Sequence, residues 1–565
     1  MSDYTVPYER WKNHRGLPSY LANDLSSISS EKEIEDRFYR YLQFGTAGLR
    51  GIIGAGTNRI NTYIIRRATH GFAQFLLRQG DSSAQKSVVI AYDSRHFSED
   101  FAREAAGSLA YHGIMVYLFE ELRPTPMLSF AVRHLGASGG IVITASHNPP
   151  EYNGYKVYNP QGGQISTKIA QEISQYINSL EDELTLPAIT AEEAIQKGFL
   201  EMIGTDIDEA YQAKLRTLLS TNASVLHAAK DINITFTPLH GTGNRPLMNA
   251  LQNAGFVQAQ LVAAQASPDP NFSTVSSPNP EEPIAFQLAI HHAKDNASEL
   301  ILATDPDADR LGLAVRTING EYGIISGNQI GALLLHYVLD QKKATGSLPG
   351  NAVVVKTIVT SELGRAIADS FGVTMQETLT GFKYIAEKIE DFQQTGSHTF
   401  LFGYEESNGY LIGDFVRDKD AIQAGLLLSE MAAFYKEKEK SLLDVLNDLY
   451  KEHGYFTDDL LSFTLKGREG AEKISKMMNA VRTTTPSQIA GIAVIESKDY
   501  LPGIEGLPSS DVVKLLLEDG SWLAFRPSGT EPKMKVYFGV VDTSREASVQ
   551  KVSKLKEAVL ELLGN

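Results

Sequence analysis

Gly140-Ile141-Val142-Ile143-Thr144-Ala145-Ser146-His147-Asn148-Pro149 decides how this chain is read. Its first five residues form a short apolar run rich in β-branched side chains, which predicts a strand. A polar hexapeptide, Thr144 to Pro149, follows at once. In open α/β sheets, functional groups collect on the loops after strand carboxyl ends. A Ser hydroxyl is a weak nucleophile, so Ser146 needs a base, a metal or a phosphate already on its oxygen. The plainer alternative is a polar turn ended by Pro149 and Pro150. The segment is not the Gly-x-Ser-x-Gly elbow of a hydrolase, which argues against an esterase triad.

The same strand-then-loop pattern recurs outward from this point. Val88 to Tyr92, Ile232 to Phe236, Glu299 to Ala303 and Ala352 to Val355 also read as short strands. Helical patterns such as Thr69 to Leu77 and Gly327 to Leu339 fall between them. This alternation predicts α/β layers with mixed, largely parallel sheets. The last hundred or so residues differ. Val512 to Leu517, the turn Glu518-Asp519-Gly520 and Trp522 to Phe525 predict an antiparallel hairpin. Lys535 to Phe538 would add a strand and Ala547 to Leu563 a closing helix, so a separate C-terminal α+β domain is expected. The charged run Lys436 to Lys440 before it reads as a linker or as the solvated end of a helix.

Three further loops carry chemistry. Asp305-Pro306-Asp307-Ala308-Asp309-Arg310 follows a strand and sets three carboxylates at alternate positions. They repel one another unless a cation neutralises them, and three oxygen donors suit a hard ion such as Mg²⁺. An EF-hand is excluded, because Arg310 stands at its obligatory Gly and Arg316 at its bidentate Glu. Gly403-Tyr404-Glu405-Glu406-Ser407 joins carboxylates to a hydroxyl, a combination able to read sugar hydroxyl groups. Arg526-Pro527-Ser528-Gly529-Thr530-Glu531-Pro532-Lys533 offers a forked cation, hydroxyls, a Gly and a Lys, as a phosphate cradle would. It lacks P-loop spacing, and Gly241-Thr242-Gly243 is no dinucleotide fingerprint, since Pro246 replaces the third Gly.

Composition sets the bounds. The chain has 565 residues, enough for three to five domains, with 42% hydrophobic and 21% charged residues. Its net charge of −16 argues against nucleic-acid or anionic-membrane partners, whose phosphates call for a basic surplus. Small phosphorylated ligands need only local Arg, Lys and backbone N–H groups. With no cysteine, disulfides, thiolate metal sites and Cys nucleophiles are excluded. No apolar run reaches membrane-spanning length and the N-terminus lacks a signal-peptide core, so a cytoplasmic protein is expected.

These loops, in this order, resemble those of the α-D-phosphohexomutases, most closely the longer phosphoglucomutase branch. The likeness runs from about Phe44 to the C-terminus. It implies that Thr144 to Pro149, with Ser146 and His147, is the phosphoserine loop, and that Asp305, Asp307 and Asp309 bind metal together with Ser146. It implies that Arg310, Glu405 and Ser407 contact the substrate and that Arg526, Ser528, Gly529 and Thr530 hold its phosphate. Phe44 to Arg50 is similar to the family's N-terminal loop, whose Arg faces the reacting phosphate. Lys156 matches a Lys assigned acid/base work, and Lys383 a substrate-contacting Lys. Two positions depart from the family: Pro306 and Ala308 stand where Gly is common between the aspartates, and Asn408 follows Ser407 where an aromatic residue is frequent.

The resemblance further implies three similar α/β domains and a C-terminal α+β domain around a central cleft, divided at 1–205, 206–322, 323–455 and 456–565. It implies interconversion of α-D-glucose 1-phosphate and glucose 6-phosphate with Mg²⁺ and glucose 1,6-bisphosphate. The protein would then be a monomer or weak homo-oligomer whose partners are small sugar phosphates. Alternatives of the same chemistry are phosphomannomutase, phosphopentomutase or glucose-1,6-bisphosphate synthase. A metal-dependent phosphatase and an inactive sugar-phosphate sensor are more distant.

Overall fold

The computed structural model describes residues 4–46, 48–79, 85–220, 223–465, 467–528 and 533–563. The chain forms two compact units. The first comprises Met1–Ile325, Ala386–Gln394 and Asn408–Glu437; the second comprises Ser326–Ile385, Thr395–Ser407 and Lys438–Asn565.

The first unit contains two mixed sheets. One has the spatial order Gly48–Ile52, Tyr152–Tyr158, Gly139–Ile143, Ser87–Tyr92, Met115–Phe119, Leu200–Ile203. Its last four strands are parallel and its first two antiparallel. Strands buried on both faces become continuous apolar runs. Accordingly Val88, Ile90, Ile141 and Ile143 pack with Phe72, Phe101 and Leu109 from covering helices. The second sheet has the order Tyr322–Ile325, Leu311–Arg316, Leu300–Thr304, Ile234–Thr237, Ala259–Leu261. The last three strands are parallel. The carboxyl ends of these strands carry the loops at 93–98, 120–125, 144–151, 238–243 and 305–310.

Three short helices, Thr5–Asn13, Ser19–Ser27 and Glu31–Phe38, precede the first sheet. The sequence reading did not anticipate them. Trp11, Leu21 and Phe38 form a core with Tyr63. The carboxylate of Glu183, fully buried, accepts hydrogen bonds from Arg10, from Trp11 Nε1 at 2.6 Å and from the Tyr41 hydroxyl at 2.7 Å. Asp24 accepts from Arg37 and from the backbone N–H of Ala55, each at 2.6 Å, and so braces the loop that follows the Arg50 strand.

In the second unit, strand Ala352–Thr357 lies parallel between Thr374–Thr378 and Thr399–Glu405. The C-terminal part is an antiparallel six-stranded sheet of order Tyr455–Thr464, Lys533–Asp542, Trp522–Pro527, Val513–Leu517, Ile492–Asp499, Gln488–Ile489. Helices Gly467–Thr483 and Arg545–Leu562 contact it. The expected hairpin is therefore the centre of a larger sheet. The charged run at 436–440 is the solvated end of helix Ala421–Lys436 and the turn beyond it. No helix among the described residues is long and apolar enough to cross a membrane.

One close approach fixes the helix Ser98–Tyr111 against the segment that precedes strand Leu200–Ile203. A Cβ on Gly107 would lie 1.9 Å from the carbonyl oxygen of Ile189, a backbone atom with little room to yield. Gly107→Ala is therefore expected to cost about 1–3 kcal/mol in chemical denaturation. Unchanged stability would show that the two segments separate without penalty.

Candidate active site

The loop after strand Leu300–Thr304 curls around one carboxylate. Asp305 Oδ1 accepts the backbone N–H groups of Asp309 at 3.1 Å and Arg310 at 3.0 Å. Ala308 adopts a left-handed φ of 50° to close the turn, where the family's Gly would be unstrained. The result is that Asp305, Asp307 and Asp309, all buried, bring carboxylate oxygens within 4.8 Å of one another. Burial, reinforced by the charges of Asp307 and Asp309, pushes the Asp305 carboxyl well above the usual carboxylate range. Asp307 goes the other way: burial would raise it, but Lys156 and hydrogen bonds hold it ionised. Buried oxygens Asp307 Oδ1 and Asp309 Oδ1 receive no hydrogen bond. Hard oxygen donors, crowded negative charge and unpartnered lone pairs fit a divalent cation.

Ser146 sits against this loop. Its side chain is nearly buried, and its Oγ donates to Asp305 Oδ2 at 2.6 Å. His147 Nδ1 lies 3.2 Å from Ser146 Oγ. Burial, together with the neighbouring Arg310 and Arg50, keeps the His147 imidazole neutral. Ser146 itself has a left-handed φ of 52°, a conformation that costs a non-Gly residue about 1 kcal/mol or more. Arg95, at the end of the neighbouring strand, holds that geometry. Its guanidinium donates to the carbonyls of Pro149 at 2.8 Å and Tyr152 at 3.0 Å, and also to those of Ser146 and Asn148. Asp93 lies 3.4 Å from Arg95 Nε and accepts from Ser98 Oγ at 2.6 Å.

Cations surround the carboxylates. Lys156 Nζ is 2.7 Å from Asp307 and 3.5 Å from Asp309, and Lys419 Nζ is 2.9 Å from Asp309. Despite the cost of burial, these carboxylates raise the Lys156 pKa and keep it an ammonium. Arg310 pairs with Glu281, and Arg50 reaches the Ser146 loop through Asn148 Oδ1 at 3.1 Å. The metal loop is gripped from two sides. Thr125 donates to Asp307 Oδ2 at 2.8 Å, and Thr242 Oγ1 to the Pro306 carbonyl at 2.9 Å. Asn408 pins the start of the next strand by donating to the Leu311 carbonyl at 3.0 Å.

The structure thus brings Ser146, His147, Arg50, Lys156, Arg310 and the three aspartates together within the first unit. Sequence reasoning missed Arg95, Thr125, Thr242 and Lys419. Arg95, Thr125 and Thr242 stand on strand-end loops, so the strand-end rule would have found them; Lys419 carries no local signal.

The second unit holds the remaining expected residues. Glu405, buried at a strand end, accepts from Gly381 N–H at 2.8 Å. Lys383 opens the following helix with its ammonium 4.9 Å from the Tyr384 ring centre. Glu406 accepts from Thr357 and Thr360 hydroxyls at 3.2 and 3.4 Å. Ser407 follows, half-buried. Arg526 is half-buried at the end of its strand and Ser528 is exposed, with Ser528 N–H donating to the Lys533 carbonyl at 2.8 Å. Gly529 and Thr530 lie outside the described residues.

Comparison with known proteins accounts for this arrangement. The phosphoglucomutase/phosphomannomutase family matches the chain in four consecutive pieces. Its alpha/beta/alpha domains I, II and III match residues 41–184, 209–320 and 326–453, and its C-terminal domain matches residues 472–552. The phosphoglucomutase of Staphylococcus haemolyticus (strain JCSC1435) is 41% identical over 527 residues, covering 91% of this chain and 93% of its own. That of Staphylococcus aureus (strain USA300) is 38% identical over 564 residues, covering 98% of each chain. Among solved structures, the open form of Paramecium pp63/parafusin, a phosphoglucomutase, covers 93% of this chain and 95% of its own. Its TM-score is 0.72 at 18% identity, a likeness of fold alone. With all four pieces present in order and relatives matching over nearly its whole length, this chain belongs to the phosphoglucomutase/phosphomannomutase family.

Proposed function

We propose that the chain interconverts α-D-glucose 1-phosphate and glucose 6-phosphate through a phosphoserine at Ser146 and a glucose 1,6-bisphosphate intermediate. The observation that carries this reading is the placement of Ser146 Oγ at 2.6 Å from a buried three-carboxylate group. The glucose preference is supported by the phosphoglucomutase names of the relatives at 38–41% identity.

In the forward step the bond between phosphorus and Ser146 Oγ breaks while one forms to a free sugar hydroxyl. In this reading Lys156, an ammonium beside Asp307, serves as the acid that protonates the departing serine oxygen. Neutral His147, whose Nδ1 lies 3.2 Å from Ser146 Oγ, serves in this reading as the base that takes the proton of the attacking hydroxyl. Asp305, Asp307 and Asp309, with an oxygen on Ser146, would hold Mg²⁺, which when bound would supply charge neutralisation at the transferring group. Arg50 and Arg310 add positive charge beside it. Glu405, Ser407 and Lys383 read the sugar, and Arg526, Ser528, Gly529 and Thr530 anchor the phosphate that is not reacting. The bisphosphate then turns end for end and returns its other phosphoryl group to Ser146. Both sides of each step are phosphate esters, so no nucleotide is consumed.

We take 1–205, 206–322, 323–455 and 456–565 as the working division into domains. We also take the protein to act in the cytoplasm, as a monomer or weak homo-oligomer, without nucleic-acid partners.

A mutase assay with Mg²⁺ and a trace of glucose 1,6-bisphosphate tests the substrate. Glucose 1-phosphate is expected to exceed mannose 1-phosphate and ribose 1-phosphate in kcat/KM; another sugar in the lead would move the assignment to that sugar. Ser146→Ala is expected to lower turnover by about 10³-fold or more and to abolish phosphate incorporation into the protein. Retained turnover would exclude the phosphoserine route. Asp307→Asn is expected to raise the Mg²⁺ concentration for half-maximal activity about tenfold. An unchanged titration would remove Asp307 from the ligand set.

A further inference from the structure

The second unit contains a cavity of about 250 Å³, lined by the cations Arg365, Lys498 and Lys514 and by the carboxylates Glu362 and Glu377, none of which the proposed reaction uses. Lys498 and Lys514 both line it and stand directly opposite each other on neighbouring antiparallel strands. Like charges in that register repel.

The local charge balance sharpens the point. Buried Lys356 lies 2.9 Å from Glu362 and 2.8 Å from Glu377, and Arg365 reaches the same carboxylates at 2.9 and 2.8 Å. These two carboxylates therefore already serve two cations. Lys514 is a third, 3.7 Å from Glu362, with its ammonium donating to the Ile358 carbonyl at 2.7 Å and lying 4.6 Å from the Trp522 ring centre. Burial, and then the charge of Lys356, push Lys514 down to about 8, although Glu377 and Glu362 act the other way. Lys498 pairs with Glu505 at the cavity rim, at 2.7 Å.

We propose that this cavity is a binding site for a small phosphate ester, whose dianionic group bridges Lys498 and Lys514 beside Arg365. Two ammonium groups and a guanidinium match the three oxygens of a phosphate better than the two of a carboxylate. The cavity exceeds the size of phosphate alone, and Trp522 and Tyr500 supply an apolar wall for a short carbon chain. The site also has a route to the chemistry. Lys514 holds Ile358, in the turn whose Thr357 and Thr360 bond Glu406, the neighbour of Glu405. That coupling, unlike the binding itself, rests on the proposed role of Glu405 in reading the sugar.

Trp522 provides a local reporter, since the chain's other tryptophan, Trp11, is fully buried in the first unit. Full-length protein is titrated with inorganic phosphate and with glycerol 3-phosphate, without sugar substrate, while tryptophan emission is followed. A saturable change is expected, kept in Arg526→Ala and weakened about tenfold or more in both Lys498→Met and Lys514→Met. Lys498 is partly exposed, so its variant keeps the test decisive if Lys514→Met fails to fold. No saturable change overturns the site, as does a signal lost in Arg526→Ala and kept in Lys498→Met. Because the readout needs no turnover, saturable binding in a protein inert toward every sugar phosphate would sink the mutase reading and leave this one standing.

Discussion

Asp305, Asp307 and Asp309 are buried side by side on one loop, and most of the first unit around them serves to make that tolerable. Moving an ionised carboxylate out of water is costly unless it is paired and hydrogen-bonded, and placing three together adds their mutual repulsion. Within the protein the response is partial. Lys156 and Lys419 bring two ammonium groups to three carboxylates, backbone N–H groups close on Asp305, and Thr125 donates to Asp307. One carboxyl is left under pressure to take up a proton, and Ser146 donates to that one. The negative surplus that strains the loop is also what makes it a seat for a divalent ion.

The loop around Ser146 answers a different need. An acceptor of a phosphoryl group must project from the backbone at a defined angle, and here a left-handed residue makes the projection. Nothing in Ser favours that conformation, so the surroundings must impose it. Arg95 does so from below, gathering four carbonyl oxygens of the same turn onto one buried guanidinium. A lysine could not reproduce this, because one ammonium lacks the planar fork that reaches four acceptors in different directions.

How much of this was legible in advance depended on whether the signal was local. The Asp triplet and the Ser146 hexapeptide are contiguous, and each follows an apolar strand, so residue type and position pointed to the same place. The C-terminal hairpin was visible for the same reason, through Val513 to Leu517 and Trp522 to Phe525 on either side of a Gly turn. Lys419 was not, because it meets Asp309 across more than a hundred residues and its own neighbours show no apolar period that singles it out. The helices between Thr5 and Phe38 were missed because they are short, polar and only partly buried: Trp11, Leu21, Leu25 and Phe38 are their buried side chains, with Tyr8, Tyr20 and Ile34 packed partly buried against them. Their stability comes from what they pack on, which local propensity does not report. The lysines at 498 and 514 are unremarkable in sequence and become a pair only through strand register.

The carboxylate of Glu183 carries a consequence for how the chain is made. Arg10 and Trp11 meet it across sequence separations of 173 and 172 residues. During synthesis the first helices leave the ribosome long before their anchor exists, and at about 5–20 residues per second the wait lasts on the order of ten seconds or more. Until then Trp11 has no hydrogen-bond acceptor at Glu183, and the early helices are too short to persist alone. The segment that carries these helices is therefore among the last parts of the first sheet's surroundings to settle, although it is translated before them.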